Sequence, residues 1–241
     1  MPGPLGSETR TPLLCDRQPL AAGLASFYKT ARGKALAADT LAFVRDAWGK
    51  SRPSNLHFMC FGFPPPGLKD FVKRARSFAL LTPSVVGPLP WPARGVNQSA
   101  MVDEARLALR AGCFDRVLVF HALEHLADPV SFLEEIWLVS APGGRAIFLV
   151  PKGRGLLSPS GFKTFLAGKG FMPAAQAGAL FGLPGNDRHK PMLSGLLKAL
   201  NPKFGHMGAA YCLVEAGKRQ DNFGARNLRA VKAAHARPIP S

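Results

Sequence analysis

The sequence predicts an α/β protein with a doubly wound, mostly parallel sheet and helices on both faces. Three observations predict it. Short, nearly continuous apolar runs recur at Leu56–Phe63, Phe114–Phe120 and Arg145–Val150. Strands buried on both faces read this way, whereas half-exposed strands alternate. Amphipathic helical patterns separate these runs, and alternation of the two element types is the signature of parallel pairing through crossover helices. Hydrophobic residues make up 47% of 241 residues, enough to fill one sizeable core.

Taken in order, residues 1–17 are rich in Pro, Gly and charge and read as a disordered N-terminus. Within them GPLGS, residues 3–7, carries no assigned function. Residues 18–48 form one helical pattern, with Leu20, Leu24 and Phe27 beside Tyr28, then Leu41, Val44 and Trp48; Gly49 and Pro53 end it. Leu56–Phe63 is the first strand, and Leu68–Arg76 a helix with Lys69, Lys73 and Arg76 on its polar side. Ser77–Leu81 is the second strand, and residues 84–98 a Pro-rich loop.

Phe114–Phe120 is the clearest strand. Asp128-Pro129 starts the next helix: Asp caps the first free N–H groups, and Pro at the first helical position loses no bond. Val130, Leu133, Ile136 and Trp137 form its apolar face, and Ala141-Pro142-Gly143-Gly144 ends it. Arg145–Val150 is a buried strand. Helices are expected at Gly161–Gly168 and Leu193–Leu200, and a last strand at Tyr211–Glu215. The expected organisation is a disordered start, one α/β domain over residues 18–216, and a basic disordered tail over 217–241.

The net charge is +16, unevenly spread: seven of fifteen acids fall between Asp103 and Glu135, and none between Lys152 and Asn186. Such a field favours anionic partners, nucleic acid among them, but the bases lack interleaved aromatics and form no nucleic-acid motif. No run approaches the ~20 apolar residues that span a bilayer. The N-terminus has no basic segment leading into an apolar one, so no secretory signal is read there and a cytoplasmic location is expected. Cys15, Cys60, Cys113 and Cys212 have no metal or redox spacing and read as reduced thiols; no metal site is expected.

The segment FDRVLVFHALEHLADPVSFLEEIWLVSAPGGRAIFLVP, Phe114–Pro151, resembles the second half of a class I S-adenosylmethionine-dependent methyltransferase domain of the type 11 kind. It holds a strand opening Phe-Asp, a His-x-Leu-Glu-His turn, Asp-Pro, a helix, Pro-Gly-Gly and a strand closing in Pro. The likeness extends loosely over residues 27–216, with Trp91-Pro92 ahead of the third strand and PKGRG after the fifth.

The resemblance implies the Rossmann-like class I methyltransferase fold and S-adenosylmethionine as the cofactor. It places Gly62, Phe63, Thr82, Asp103, Glu104, Phe120 and His121 around that cofactor. Asp103-Glu104 takes the place of the acid that reaches the adenine amino group, or is an exposed acidic turn. Phe120 and His121 flank the cofactor, or His121 caps its strand. In the family Glu124 and His125 shape the loop and pack the following helix; the alternative is a metal pair or an acid/base pair. His121 is the weak candidate for a catalytic group, since methyl transfer is chiefly positioning.

Two departures stand out. The family's Gly-x-Gly-x-Gly becomes Gly62-Phe63-Pro64-Pro65-Pro66-Gly67, with prolines at the second and third glycine places. Proline has no N–H and fixes φ near −65°. The acid expected at the end of the second strand is replaced by Leu81-Thr82-Pro83. The expected function is therefore methyl transfer to an unknown acceptor, anionic molecules among the candidates, by a protein with an eroded cofactor loop. The alternatives are an inactive methyltransferase-fold binding or scaffold protein, and a basic nucleic-acid-binding module.

Overall fold

A computed structural model describes residues 20–48, 55–151, 156, 158–181 and 209–218. The predicted helix at 193–200, the stops at Gly49 and Pro53, the basic Lys152–Arg154, both predicted disordered termini apart from Gly217 and Lys218, and Cys15 lie outside them.

The elements run α1 (Leu20–Phe27), α2 (Ala31–Trp48), β1 (His57–Gly62), α3 (Leu68–Val72), β2 (Ser77–Thr82), β3 (Ser99–Met101), β4 (Phe114–Phe120), α4 (Pro129–Val139), β5 (Ser140–Pro151), α5 (Pro159–Gly168), β6 (Phe171–Phe181) and β7 (Ala209–Lys218). The sheet has seven strands in the order β3-β2-β1-β4-β5-β7-β6. β7 runs antiparallel to both β5 and β6, while the pairs from β3 to β5 are parallel.

The apolar runs are continuous because alternate residues feed two cores. Phe58 and Cys60 of β1, Leu118 and Phe120 of β4, and Ile147 and Leu149 of β5 pack under α2 and α3 against Leu36, Val44, Leu68 and Phe71. Met59, Phe61, Val117, Val119, Phe148 and Val150 pack on the other face against Phe132, Leu133 and Ile136 of α4 and Phe162 of α5. Helices thus cover both faces, as the sequence predicts. Cys60 is a buried free thiol, and Cys212 is buried in β7. Asp128 caps α4 as expected, its carboxylate accepting from the N–H groups of Val130 and Ser131.

Four expectations are corrected. The single helix over 18–48 is two, because the Thr30 hydroxyl accepts from the Gly33 N–H and starts α2 afresh. Gly33 lies so close to the end of α1 that a Cβ there would stand 2.1 Å from the Phe27 carbonyl oxygen. The helix after β1 stops at Val72 rather than Arg76. Ala141–Gly144 belongs to β5: extended backbone begins at Ser140, and the β4–β5 register shifts between Phe114 and Arg116 to absorb the extra residues. β6 has no counterpart in the sequence reading, because its Pro, Ala, Gly and Gln are poor strand formers.

β7 also reaches Lys218, two residues past the expected domain end. The Lys218 ammonium donates to the carbonyls of Trp137 and Ser140 at 2.7 and 2.8 Å and lies 3.9 Å over the Trp137 ring. It closes the C-terminal end of α4, where a cation suits the helix dipole. Burial lowers its pKa to about 8. A lysine depressed in the fold makes stability rise with pH, from about 8 until the unfolded lysine also loses its proton near its ordinary ~10.4. Urea midpoints at pH 7, 8 and 9.5 should show the native chain gaining on Lys218→Met across that interval. A widening deficit instead would refute the sign.

No described helix is long and apolar enough to cross a membrane.

Candidate functional site

In an open parallel sheet, ligands bind outside the carboxyl ends of the strands. Here that rim is built by the ends of β1, β2, β3 and β4. Gly62 and Phe120 are register partners at its centre, so the two motifs singled out in the sequence meet.

Gly62 has φ +93, and a Cβ on it would stand 2.0 Å from the Phe120 carbonyl oxygen. That oxygen accepts the Phe63 N–H at 3.0 Å. The glycine therefore serves the close β1–β4 contact. Pro64, Pro65 and Pro66 follow with no N–H, and Gly67, at φ +90, opens α3. Of the five residues after Gly62, Gly67 is thus the one whose N–H is neither missing nor given to Phe120.

Thr82 ends β2 fully buried, with its carbonyl accepting the Val102 N–H at 2.9 Å. Asp103 is exposed just past β3, and its carboxylate accepts the Ala105 N–H at 2.9 Å; Glu104 is half-buried. Asp103 thus stands exposed at the β3 edge, where the resemblance expects the adenine acid. The Phe120 ring is wholly inside the α2/α3 core. Period-two alternation with Leu118 already implies this, so the ring contributes to packing while the Phe120 backbone shapes the rim.

His121 is the one site residue with strained backbone: its φ is +48, in the left-handed region, and it is 1% exposed. Such strain in a non-glycine residue costs about 1–3 kcal/mol and persists only where surroundings enforce it. Tyr28 Oη lies 2.8 Å from His121 Nε2. Glu124 Oε1 lies 3.4 Å from Nδ1, too slack for a formed hydrogen bond, and both Nδ1 and Glu124 Oε2 are buried with no partner among the described residues. His125, the other half of the alternative pair, is exposed. The rings of Phe27, Tyr28 and Tyr211 pack against the imidazole at 5.5–6.5 Å, and Tyr28 stacks on Phe63 at 5.8 Å. Sequence reading missed Tyr28: it lies 93 positions from His121, and on a helical pattern it passes for core.

The strand order, with a single antiparallel strand between β5 and β6, coincides with a sequence match: residues 92–148 fit the family model described as a methyltransferase domain. The chain has the class I methyltransferase fold. Solved methyltransferase structures share its fold. A chain of the Haloferax volcanii complex between the Trm112 methyltransferase activator and a methyltransferase aligns with TM-score 0.52 at 14% identity, covering 81% of this chain and 97% of that one. The Burkholderia thailandensis 1,6-didemethyltoxoflavin-N1-methyltransferase, solved with 1,6-didemethyltoxoflavin and S-adenosylhomocysteine, aligns with TM-score 0.51 at 16% identity, covering 87% and 92%. A Thermotoga maritima S-adenosylmethionine-dependent methyltransferase aligns with TM-score 0.50 at 12% identity, covering 82% and 96%. At such identities the likeness of this chain to them is one of fold. No curated protein matches the sequence.

Proposed function

We propose that this domain transfers a methyl group from S-adenosylmethionine and holds that donor loosely at the rim of β1–β4. The observation that carries the reading is the methyltransferase-domain match over residues 92–148, which supplies β3, β4, α4 and most of β5 and so the side of the rim that includes His121.

The rim fits a nucleoside donor well on its β3 side and poorly on its β1 side. Asp103 and Glu104 stand at the β3 edge, where a carboxylate can accept from an amino group. The Gly67 N–H, at the opening of α3, is the donor left to the β1 loop. Thr82 takes the place of a ribose-binding acid, and a hydroxyl replaces at most one charge-assisted bond of ~1.5–3 kcal/mol, about a tenfold loss or more. Bound there, the donor supplies an already activated methyl on its sulfonium, and the protein's task is to orient it and exclude water.

Calorimetry with S-adenosylmethionine and S-adenosylhomocysteine tests this. Weak binding is expected, at affinities reached with micromolar to millimolar ligand. Absence of heat at millimolar ligand refutes it and leaves a methyltransferase fold used for binding alone.

A further inference from the structure

Three polar groups from separate parts of the fold converge over the end of β4: the Tyr28 phenol from the turn between α1 and α2, the His121 imidazole, and the Glu124 carboxylate from the loop before α4. The order is hydroxyl, imidazole, carboxylate, with the two ring nitrogens facing opposite partners. A carboxylate can only accept, so the imidazole proton belongs on Nδ1, facing Glu124. Nε2 is then the acceptor, and the Tyr28 O–H its donor. Burial, with Tyr211, Cys60 and Glu124 nearby, pushes the Tyr28 phenol well above its ordinary pKa, so it keeps its proton. The chain of groups has a direction, running from the Tyr28 hydroxyl through the imidazole to the Glu124 carboxylate; Tyr28 is 6% exposed, His121 1% and the Glu124 side chain 18%.

We propose that Tyr28, His121 and Glu124 form a proton relay that serves methyl transfer to a protic acceptor, a hydroxyl or an amine on an apolar or aromatic molecule. The inference rests on the donor-binding reading above. Tyr28 is the residue that touches the acceptor; His121 and Glu124 are positioning residues behind it. The acceptor's oxygen or nitrogen bonds to the methyl carbon as the carbon–sulfur bond breaks, with its electron pair left on sulfur. The acceptor's proton passes to the Tyr28 oxygen while the phenol proton passes to His121 Nε2. The imidazolium so formed holds its Nδ1–H toward Glu124, whose charge balances it. The slack 3.4 Å between Nδ1 and Glu124 suits a contact that tightens only when the ring becomes charged. The rings of Phe27, Phe63 and Tyr211 around the phenol and imidazole favour an aromatic or apolar body on the acceptor.

A chain labelled with 15N-histidine gives the first test. The His121 signals, assigned by their loss in His121→Gln, should show the proton on Nδ1 and an acceptor Nε2 at neutral pH. Glu124→Gln should shift the ring toward a mixture of tautomers. A wild-type ring protonated on Nε2 overturns the relay, because the phenol would then be accepting rather than donating.

The second test supplies S-adenosylmethionine with a set of phenols, aliphatic alcohols and amines. Transfer to at least one is expected. Tyr28→Phe should lower kcat by about 10²–10⁴-fold while S-adenosylhomocysteine binds it as it binds wild type. Equal kcat in the two proteins, or no transfer by wild type to any of the set, overturns the relay. Wild-type binding of S-adenosylhomocysteine in that case leaves the donor-binding reading standing; loss of that binding is the separate failure of that reading. Should Tyr28→Phe not fold, the wild-type tautomer and the Glu124→Gln shift still decide.

Discussion

Replacing Arg145 by alanine should destabilise the domain by about 3–5 kcal/mol, the usual effect of stripping a buried charge of its partner. The charge left behind is Glu215, which is 1% exposed on β7. Its carboxylate lies 2.6 Å from the Arg145 guanidinium and accepts from the Trp48 indole N–H at 3.1 Å. Burial pushes the Glu215 carboxyl above its ordinary pKa, and Arg145 opposes that shift. Arg145 also donates to the Ala47 carbonyl at 2.8 Å, satisfying an orphan group at the end of α2. Chemical denaturation of Arg145→Ala, Glu215→Gln and the double variant would measure the coupling. The double variant should recover much of the single loss, because Gln leaves no buried charge. Strict additivity would show that the pair is not coupled.

Gly62→Ala should cost at least ~3 kcal/mol and in practice yield little folded protein. Two effects add. A φ of +93 is hostile to any L side chain, and the new Cβ would meet the Phe120 carbonyl oxygen at 2.0 Å. That oxygen is backbone of the central strand and cannot swing aside. The Phe63 N–H bond to it would be lost as the strands part, so the rim itself would deform. Thermal unfolding beside Gly23→Ala makes the contrast, since nothing lies within 4 Å of a Cβ at Gly23. A Gly62→Ala protein as stable as wild type would show that β1 and β4 do not approach as described.

The middle of the fold was legible because its signals are local. Phe114–Phe120 has the same bounds in sequence and structure, since its run Val117–Phe120 is buried on both faces and is therefore continuously apolar. Asp128-Pro129 announces α4 by capping chemistry alone. The break between α1 and α2 was not legible, because apolar periodicity runs across it and the deciding fact is the nearness of Gly33 to Phe27. β6 was hidden for the opposite reason: Met172 to Phe181 has no strand pattern, and its place is set by pairing with β7.

At the site, spacing within the family motif located His121 and Glu124 but not what they face. Glu124 faces His121, three residues before it, and not His125, its partner in the alternative reading. The His121 side chain turns inward at a left-handed residue, which no propensity forecasts. Tyr28 became a site residue only through a contact across 93 positions.

The N-terminal helices have a mechanical consequence. α2 is preceded by Tyr28, held in the turn before it over the carboxyl ends of β1 and β4, and is held at its other end through Ala47 and Trp48, at the opposite ends of the strands. An 18-residue helix fastened at both extremities is a strut of set length. Removing one turn would shorten it by about 5.4 Å, well beyond the length of a hydrogen bond at either end. The phenol over the rim and the arginine clasp below the sheet are therefore gauged against each other, and the reach of the one is metered by the other through the length of this single helix.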